Sequence, residues 1–147
     1  MARYATDGRP LPKVTSTTKP YFDAARRGHL CLQRCPRDGV FYYPRSRCPE
    51  CWQDDWEWTE LSGEGEVHTF TIDRLGHDPA LAGDVPFVIA LVTLAEGPRV
   101  VANIVGCDVD AVRVGMPVTA VFQSYTPQDG GEPVALLRFE PRSGPGS

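Results

Sequence analysis

The most constraining stretch of this chain runs from residue 30 to residue 52, LCLQRCPRDGVFYYPRSRCPECW, and holds four of the five cysteines. Its second half contains Cys48-Pro-Glu-Cys51, and its first half contains Cys35-Pro-Arg-Asp38, which has the same spacing with an aspartate in the last position. Two tight turns that each present residues i and i+3 can place four donor atoms around one tetrahedral zinc ion. We therefore predict a zinc ribbon over residues 29–58.

The predicted metal ligands are Cys35, Asp38, Cys48 and Cys51. Cys31 is the alternative for the fourth position, but in an extended strand it would lie about 13 Å from Cys35 at about 3.3 Å per residue. Two ligands of one zinc ion lie no more than about 4.6 Å apart. A carboxylate is an accepted zinc ligand, so Asp38 is preferred over Cys31, with His29 as a reserve.

Two other interpretations of the ribbon stay open. The chain can have lost its metal and kept the fold, because three thiolates and one carboxylate bind zinc more weakly than four thiolates. A catalytic zinc ion with an open coordination position is also formally compatible with the spacing. No general base lies close to the ligands in sequence, which favours a structural site.

The segment before the ribbon divides into two predicted parts. Residues 1–17 are polar and rich in Thr and Pro, and they lack hydrophobic periodicity, so we expect an extended arm of the kind that orders on a partner. Residues 18–28 are predicted to form a short helix that Thr18 caps and Gly28 ends. Its apolar face is expected to pack on the chain itself.

The segment after the ribbon is predicted to be a five-stranded barrel of the OB type over residues 59–141, followed by a disordered tail over 142–147. Three tryptophans, Trp52, Trp56 and Trp58, are expected to pack at the joint between ribbon and barrel. The alternation of apolar residues predicts strands at 64–73, 85–94, 99–105, 114–122 and 133–139. The fold class is therefore mainly β, with one short helix.

The charges divide unevenly along the chain. Residues 1–47 carry ten Lys/Arg against three Asp/Glu, a net charge of +7, whereas the remaining hundred residues carry five against sixteen, a net charge of −11. A basic half suits a phosphate-bearing ligand or an acidic protein surface, although two solvated faces without a common partner give the same count.

Basic and aromatic residues of the first half are the candidates for contact with such a ligand or partner. These candidates are Tyr21, Phe22, Arg26, Arg27, Arg37, Tyr42, Arg45 and Arg47.

The order of the motifs resembles a known family. A helix ending in Ala-Arg-Arg-Gly-His-Leu precedes Gln33-Arg-Cys35, the knuckle Cys48-Pro-Glu-Cys51 follows, and Gly63-Glu-Gly-Glu-Val opens the barrel. This arrangement over residues 18–140 resembles the zinc-ribbon plus OB-fold family catalogued as domain of unknown function 35, also called acyl-CoA-associated. The family has a cysteine where this chain has Asp38.

The resemblance implies an accessory role in acyl-CoA metabolism, including bacterial steroid side-chain degradation. Members look like small subunits or fused domains that accompany thiolases, lipid-transfer-protein-type thiolase homologues acting as aldolases, or MaoC-type hydratases. The partner would carry the catalytic residues, zinc would be the cofactor of the ribbon, and an acyl-CoA thioester would be the ligand of the complex. Coenzyme A combines phosphates with a hydrophobic acyl arm, so the resemblance implies that the basic and aromatic candidates contact CoA or the partner.

Two alternative functions belong to other classes. Ribbons and OB barrels also bind single-stranded nucleic acid, but a barrel half with a net charge of −11 opposes that function. A stand-alone acyl-CoA enzyme would have to use Asp73 or His77, whereas His68 shares its parity with apolar strand residues and is expected to be half-buried. No apolar run is long enough for a membrane span or a secretory signal, so we expect a cytoplasmic protein.

Overall fold

Short strands joined by turns make up most of the chain, as its 14 glycines and 14 prolines lead one to expect. The computed structural model describes residues 3–76 and 78–142, so the candidate His77 and the tail from residue 143 onward lie outside the described residues. In chain order the elements are strands β1 (Arg3–Tyr4) and β2 (Pro10–Leu11), helix α1 (Lys19–Arg26), and strands β3 (Cys31–Cys35), β4 (Gly39–Phe41), β5 (Glu57–Glu60), β6 (Glu64–Asp73), β7 (Phe87–Leu94), β8 (Arg99–Ile104), β9 (Pro117–Tyr125) and β10 (Val134–Pro141).

The last five strands close into a barrel with the order β10-β8-β7-β6-β9. Strands β8 and β10 pair in parallel and every other neighbouring pair is antiparallel. Every second residue of β7 points inward, and Val88, Ala90, Val92 and Leu94 are all at most 2% exposed. This is the small Greek-key barrel of the OB type, and it confirms the predicted fold class.

Two details of the barrel differ from the sequence-based prediction. Strand β9 begins at Pro117 rather than at residue 114, because a turn closed by the hydrogen bond from the Met116 N–H to the Arg113 carbonyl (3.2 Å) precedes it. Strand β6 has a bulge between Val67 and Thr69 that breaks the parity of the strand. His68 is consequently exposed, so the prediction that it is half-buried was wrong.

The N-terminal segment is not the extended arm that its composition predicts. Strands β1 and β2 form a small hairpin, and the intervening Ala5 forms an isolated bridge with Pro127 in the loop before β10. The Thr6 N–H donates to the Thr126 carbonyl at 3.0 Å, and Ala5 is only 1% exposed. The arm is ordered by its own barrel, because that loop offers free backbone groups with which it can pair.

Helix α1 packs on the chain itself, in agreement with the prediction for its apolar face. Its side chains Tyr21, Phe22, Ala24 and Ala25 are buried against β3, β9 and β10. Thr18 makes no side-chain capping bond to the helix; its hydroxyl instead accepts a hydrogen bond from the Thr15 N–H at 2.9 Å. No helix of the described chain is long and apolar enough to cross a lipid bilayer.

Candidate metal centre and basic surface

The ribbon is a three-stranded sheet in which β3 lies between β4 and β5. Gln33 in the central strand is completely buried. Its amide nitrogen donates to the Arg45 carbonyl at 2.6 Å, and its amide oxygen accepts from the Arg45 N–H at 2.9 Å. This pair of bonds fixes the chain just before the second knuckle, so that both knuckles are held at the same end of the sheet.

The four predicted ligands come together at that end. One donor atom from each of Cys35, Asp38, Cys48 and Cys51 lies within 4.8 Å of the others. Asp38 Oδ2 lies 3.6 Å from Cys35 Sγ and 3.5 Å from Cys48 Sγ. Cys35 Sγ lies 3.6 Å from Cys51 Sγ.

These separations fit a tetrahedral zinc site. With zinc–sulfur bonds of about 2.3 Å and a zinc–oxygen bond of about 2.0 to 2.2 Å, tetrahedral angles require about 3.8 Å between two sulfurs and about 3.5 Å between sulfur and oxygen. Cys35 and Cys48 are buried and Cys51 is half-buried, whereas Asp38 is exposed, so the carboxylate forms the solvent side of the cluster. The donor set therefore suits a closed structural zinc ion, which stays a prediction for these residues.

Each knuckle ends in a residue with a left-handed backbone. Gly39 follows the second donor of the first knuckle with φ of 82°, as its position predicts, and Trp52 occupies the corresponding place in the second knuckle with φ of 64°. The turn at Trp52 is closed by its N–H, which donates to the Cys48 carbonyl at 2.9 Å. Because a bulky residue with positive φ is uncommon, composition gives no sign of this role for Trp52.

Trp58 packs against the main core as predicted, whereas Trp56 packs against the ribbon's own cluster of Cys35, Phe41 and Cys48. Trp56 and Trp58 meet edge to face with ring centroids 5.7 Å apart, and the Trp56 indole donates to the Ser46 carbonyl at 2.9 Å. Trp52 is 69% exposed, so its predicted place at the joint between ribbon and barrel was wrong. The reason is that the left-handed turn points its side chain away from the sheet.

Arg37 belongs to the metal centre rather than to a free basic surface. Its guanidinium forms a two-bond ion pair with Asp55 and donates to Cys51 Sγ at 3.5 Å. The Gln53 backbone N–H, and then Arg37, lower the pKa of the Cys51 thiol. A lowered pKa favours the thiolate, which is the form that binds a metal ion.

The two reserve ligands lie elsewhere. Cys31 stands in β3 opposite Glu60, and burial followed by the Glu60 charge raises the pKa of its thiol. His29 is exposed, with Nδ1 at 3.4 Å from a Glu60 carboxylate oxygen. Neither residue belongs to the donor cluster found among the described residues.

The structure removes two residues from the predicted contact surface. Tyr21 and Phe22 are each only 5% exposed and meet edge to face with ring centroids 5.0 Å apart. An apolar helix face of this size builds the core, so direct contact of Tyr21 and Phe22 with CoA or a partner was a wrong expectation. Tyr42 is half-buried, and burial raises its pKa to about 12.

The remaining arginines differ in their partners. Arg26 pairs with Asp23 and Glu132, each at 2.9 Å. Arg45 donates to the Tyr43 carbonyl at 3.0 Å and Arg47 donates to the Trp52 carbonyl at 3.0 Å, so both guanidinium groups are oriented by neutral acceptors. Over residues 3–76 and 78–142, none of Arg27, Arg45 and Arg47 forms an ion pair. We refer to Arg45 and Arg47 as the ribbon arginines.

Family models match both halves of the chain. The model of the ChsH2 rubredoxin-like zinc ribbon domain matches residues 22–57, and the model of the ChsH2 C-terminal OB-fold domain matches residues 58–123. The two models together span the join between ribbon and barrel, which is the motif order that the sequence predicts.

Relatives and a solved structure agree with these models. The chain is 35% identical over 121 residues to the probable enoyl-CoA hydratase alpha subunit of Thermomonospora curvata, covering 82% of this chain and 37% of that subunit. It is 30% identical over 134 residues to the DUF35 domain-containing scaffold protein of Methanothermobacter thermautotrophicus, covering 88% of this chain and 99% of that protein. The solved Ltp2-ChsH2(DUF35) aldolase has a chain with a TM-score of 0.72 and 32% identity, covering 89% of this chain and 98% of that chain.

The chain spans little more than a third of the hydratase subunit but nearly the whole of the scaffold protein and of the aldolase chain. The two family models and the DUF35 relative together show that this chain belongs to the ChsH2/DUF35 family of zinc-ribbon and OB-fold proteins.

Proposed function

We propose that this chain is a non-catalytic accessory subunit that binds a thiolase-like aldolase or thiolase of the lipid-transfer-protein type. The observation that carries the proposal is the likeness to the Ltp2-ChsH2(DUF35) aldolase, which extends over 98% of that chain and therefore leaves little of it without a counterpart here. In this role the partner supplies the catalytic residues and acts on an acyl-CoA thioester, including those of steroid side-chain degradation.

The metal centre would act as a structural part of the docking surface. A bound zinc ion would join the two knuckles, and the ribbon arginines lie at and beside the second knuckle. Arginine is well suited to carboxylate or phosphate groups because its guanidinium donates two parallel hydrogen bonds. The proposed role of Arg45 and Arg47 is therefore to contact an acidic rim of the partner or the phosphates of CoA.

The proposal is tested by affinity purification of the tagged chain from a bacterial lysate, with mass spectrometry of what is retained. We expect a thiolase-like, CoA-dependent enzyme to be enriched. Reversing both charges, Arg45→Glu with Arg47→Glu, is expected to weaken that complex by at least about tenfold, because opposite charges at an interface are replaced by like charges.

The matched control reverses Arg99 and Arg113, which are exposed arginines of the barrel half. This control is expected to retain the partner. Recovery of no CoA-dependent enzyme would contradict the proposed function, and equal loss in both double variants would contradict the role of the ribbon arginines.

A hydratase partner of the MaoC type is the second candidate, and the 35% identity to a probable enoyl-CoA hydratase alpha subunit favours it. The purified complex distinguishes the two. Hydration of an enoyl-CoA without carbon–carbon bond cleavage would indicate the hydratase, whereas cleavage or condensation would indicate the aldolase or thiolase.

Single-stranded nucleic acid is the ligand that the barrel fold would otherwise suggest. The net charge of −11 over residues 48–147 of the chain opposes the binding of nucleic acid. In a gel-shift with single-stranded DNA or RNA at low salt we expect no shift. Tight binding that weakens as salt is added would reverse this ranking.

A further inference from the structure

A cavity of about 520 Å³ lies on the barrel and is lined by no residue of the ribbon. Strands β8, β9 and β10 supply Asn103, Gln123, Tyr125 and Arg138. The N-terminal hairpin and the loop before β7 close its sides with Arg9 and Asp84. Small-molecule sites occupy about 300 to 1,000 Å³, so this cavity has the size of a ligand site.

One of its two arginines is already neutralised. Arg9 pairs with Asp7 at 2.9 Å and with Asp84 at 2.7 Å, and its guanidinium carbon lies 4.6 Å from the centre of the Tyr125 ring. Two carboxylates and a cation–π contact hold this side chain in place. Arg9 is therefore held in one position and links the N-terminal hairpin to the loop before β7 and to strand β9.

The partners of Arg138 in the described part of the chain are neutral. Its guanidinium donates to the Gln123 side-chain oxygen at 3.2 Å, to the Tyr125 hydroxyl at 3.4 Å and to the Leu137 carbonyl at 3.2 Å. Among the residues that the structure describes, no carboxylate oxygen lies within 4.0 Å of the Arg138 guanidinium nitrogens, which is the limit for an ion pair. Because the side chain is half-buried, it has lost part of its hydration without gaining a counter-charge.

The rest of the lining is largely apolar. Leu81, Phe87 and Leu136 are half-buried side chains on the cavity surface, and the buried Ile104 lies beside them. Within the described chain, one cation without a counter-ion lies beside these apolar side chains and the amides of Asn103 and Gln123, which matches a ligand with one anionic group on an apolar body. A long nucleic acid strand fits poorly, because it needs a row of cations rather than one.

We propose that this cavity binds a small organic anion, a carboxylate or a phosphate monoester carried on an apolar body, and that Arg138 binds the anionic group. The site shares no residue with the ribbon arginines or with the metal centre. It is therefore independent of the proposed docking function, and either can hold if the other fails.

The test uses octanoate, octyl phosphate and neutral octanol with the zinc-bound protein, followed by isothermal titration calorimetry and amide chemical shifts. We expect at least one of the two anions to bind with one-to-one stoichiometry and to shift the amides of Asn103 and Arg138. The anion that binds more tightly shows whether the site prefers a carboxylate or a phosphate monoester. Arg138→Gln is expected to weaken that anion by at least about tenfold, since it removes a charged hydrogen-bond donor.

Arg99→Gln is the matched control, because this exposed arginine lies on β8 outside the cavity lining, and it is expected to leave binding unchanged.

A measurement on the unmodified chain avoids reliance on variants. Cys107 lines the cavity and Cys31 does not, so bound anion should slow alkylation of Cys107 by iodoacetamide while leaving Cys31 unaffected. Octanol binding as tightly as both anions, unchanged affinity in Arg138→Gln, or no protection of Cys107 would overturn the proposal.

Discussion

Replacing Cys48 by alanine is expected to abolish zinc binding and to unfold the knuckle end of the ribbon. Cys48 is 1% exposed, and with Cys35 and Phe41 it makes up the buried part of the ribbon's own small cluster. This small cluster lies at the knuckle end of the ribbon, whereas Leu32 of β3 packs in the main core. The knuckle end therefore depends on the metal, and a structural zinc ion in a small domain contributes about 10 to 16 kcal/mol of apparent binding free energy. Elemental analysis and amide hydrogen exchange across β3 and β4 measure both effects.

The barrel is expected to stay folded in this variant, because none of its five strands pairs with a ribbon strand. Cys31→Ala is the control, since this thiol lies outside the donor cluster and should leave zinc content at one ion per chain. Full zinc content in Cys48→Ala would contradict the site, and zinc loss in Cys31→Ala would mean that Cys31 replaces one of the four ligands.

Replacing Asp38 by cysteine is expected to tighten zinc binding by at least about tenfold, because a thiolate is a softer and stronger ligand than a carboxylate. The position tolerates the change, since Asp38 is exposed and its oxygen already lies 3.5 to 3.6 Å from two cysteine sulfurs. Competition against a chromophoric zinc chelator measures the affinity. Asp38→Asn, which keeps the shape but loses the charge, is expected to weaken binding.

An unchanged or lower affinity in Asp38→Cys would show that the carboxylate is not the fourth ligand. The same variant also tests the structural role of the metal, because the activity of a partner enzyme should be unaffected. Loss of that activity with zinc retained would assign to Asp38 a function other than metal binding.

The clustering of the four donor residues could be predicted because its information is local. Cys35 and Asp38 lie three residues apart, as do Cys48 and Cys51, and two turns of fixed geometry are enough to bring the donors together once a strand pair joins them. The barrel could be predicted for a similar reason, because alternation along a strand indicates which face is buried. Strand β6 spans residues 64–73 as predicted, although its bulge between Val67 and Thr69 changes which side chains face inward.

Solvent exposure of single aromatic residues could not be predicted in this way. The helix face with Tyr21 and Phe22 was expected to pack on the chain, yet both residues were also candidates for ligand or partner contact. Packing against β10 and β3 places them in the core. Trp52 has the composition of a packing residue, but its left-handed turn exposes it. The burial of Tyr21 and Phe22 depends on distant strands, and the exposure of Trp52 depends on a backbone conformation that composition does not indicate.

The ribbon, the barrel and the donor cluster follow from the sequence alone, because spacing and periodicity act over a few residues. Only the tertiary structure placed the N-terminal segment against the loop before β10 and built the cavity from Arg9, Asp84 and Arg138. These residues are separated by most of the chain, and nothing in their local sequence indicates that they meet. Barrel closure brings them together, and the match of charges and hydrogen bonds then holds them.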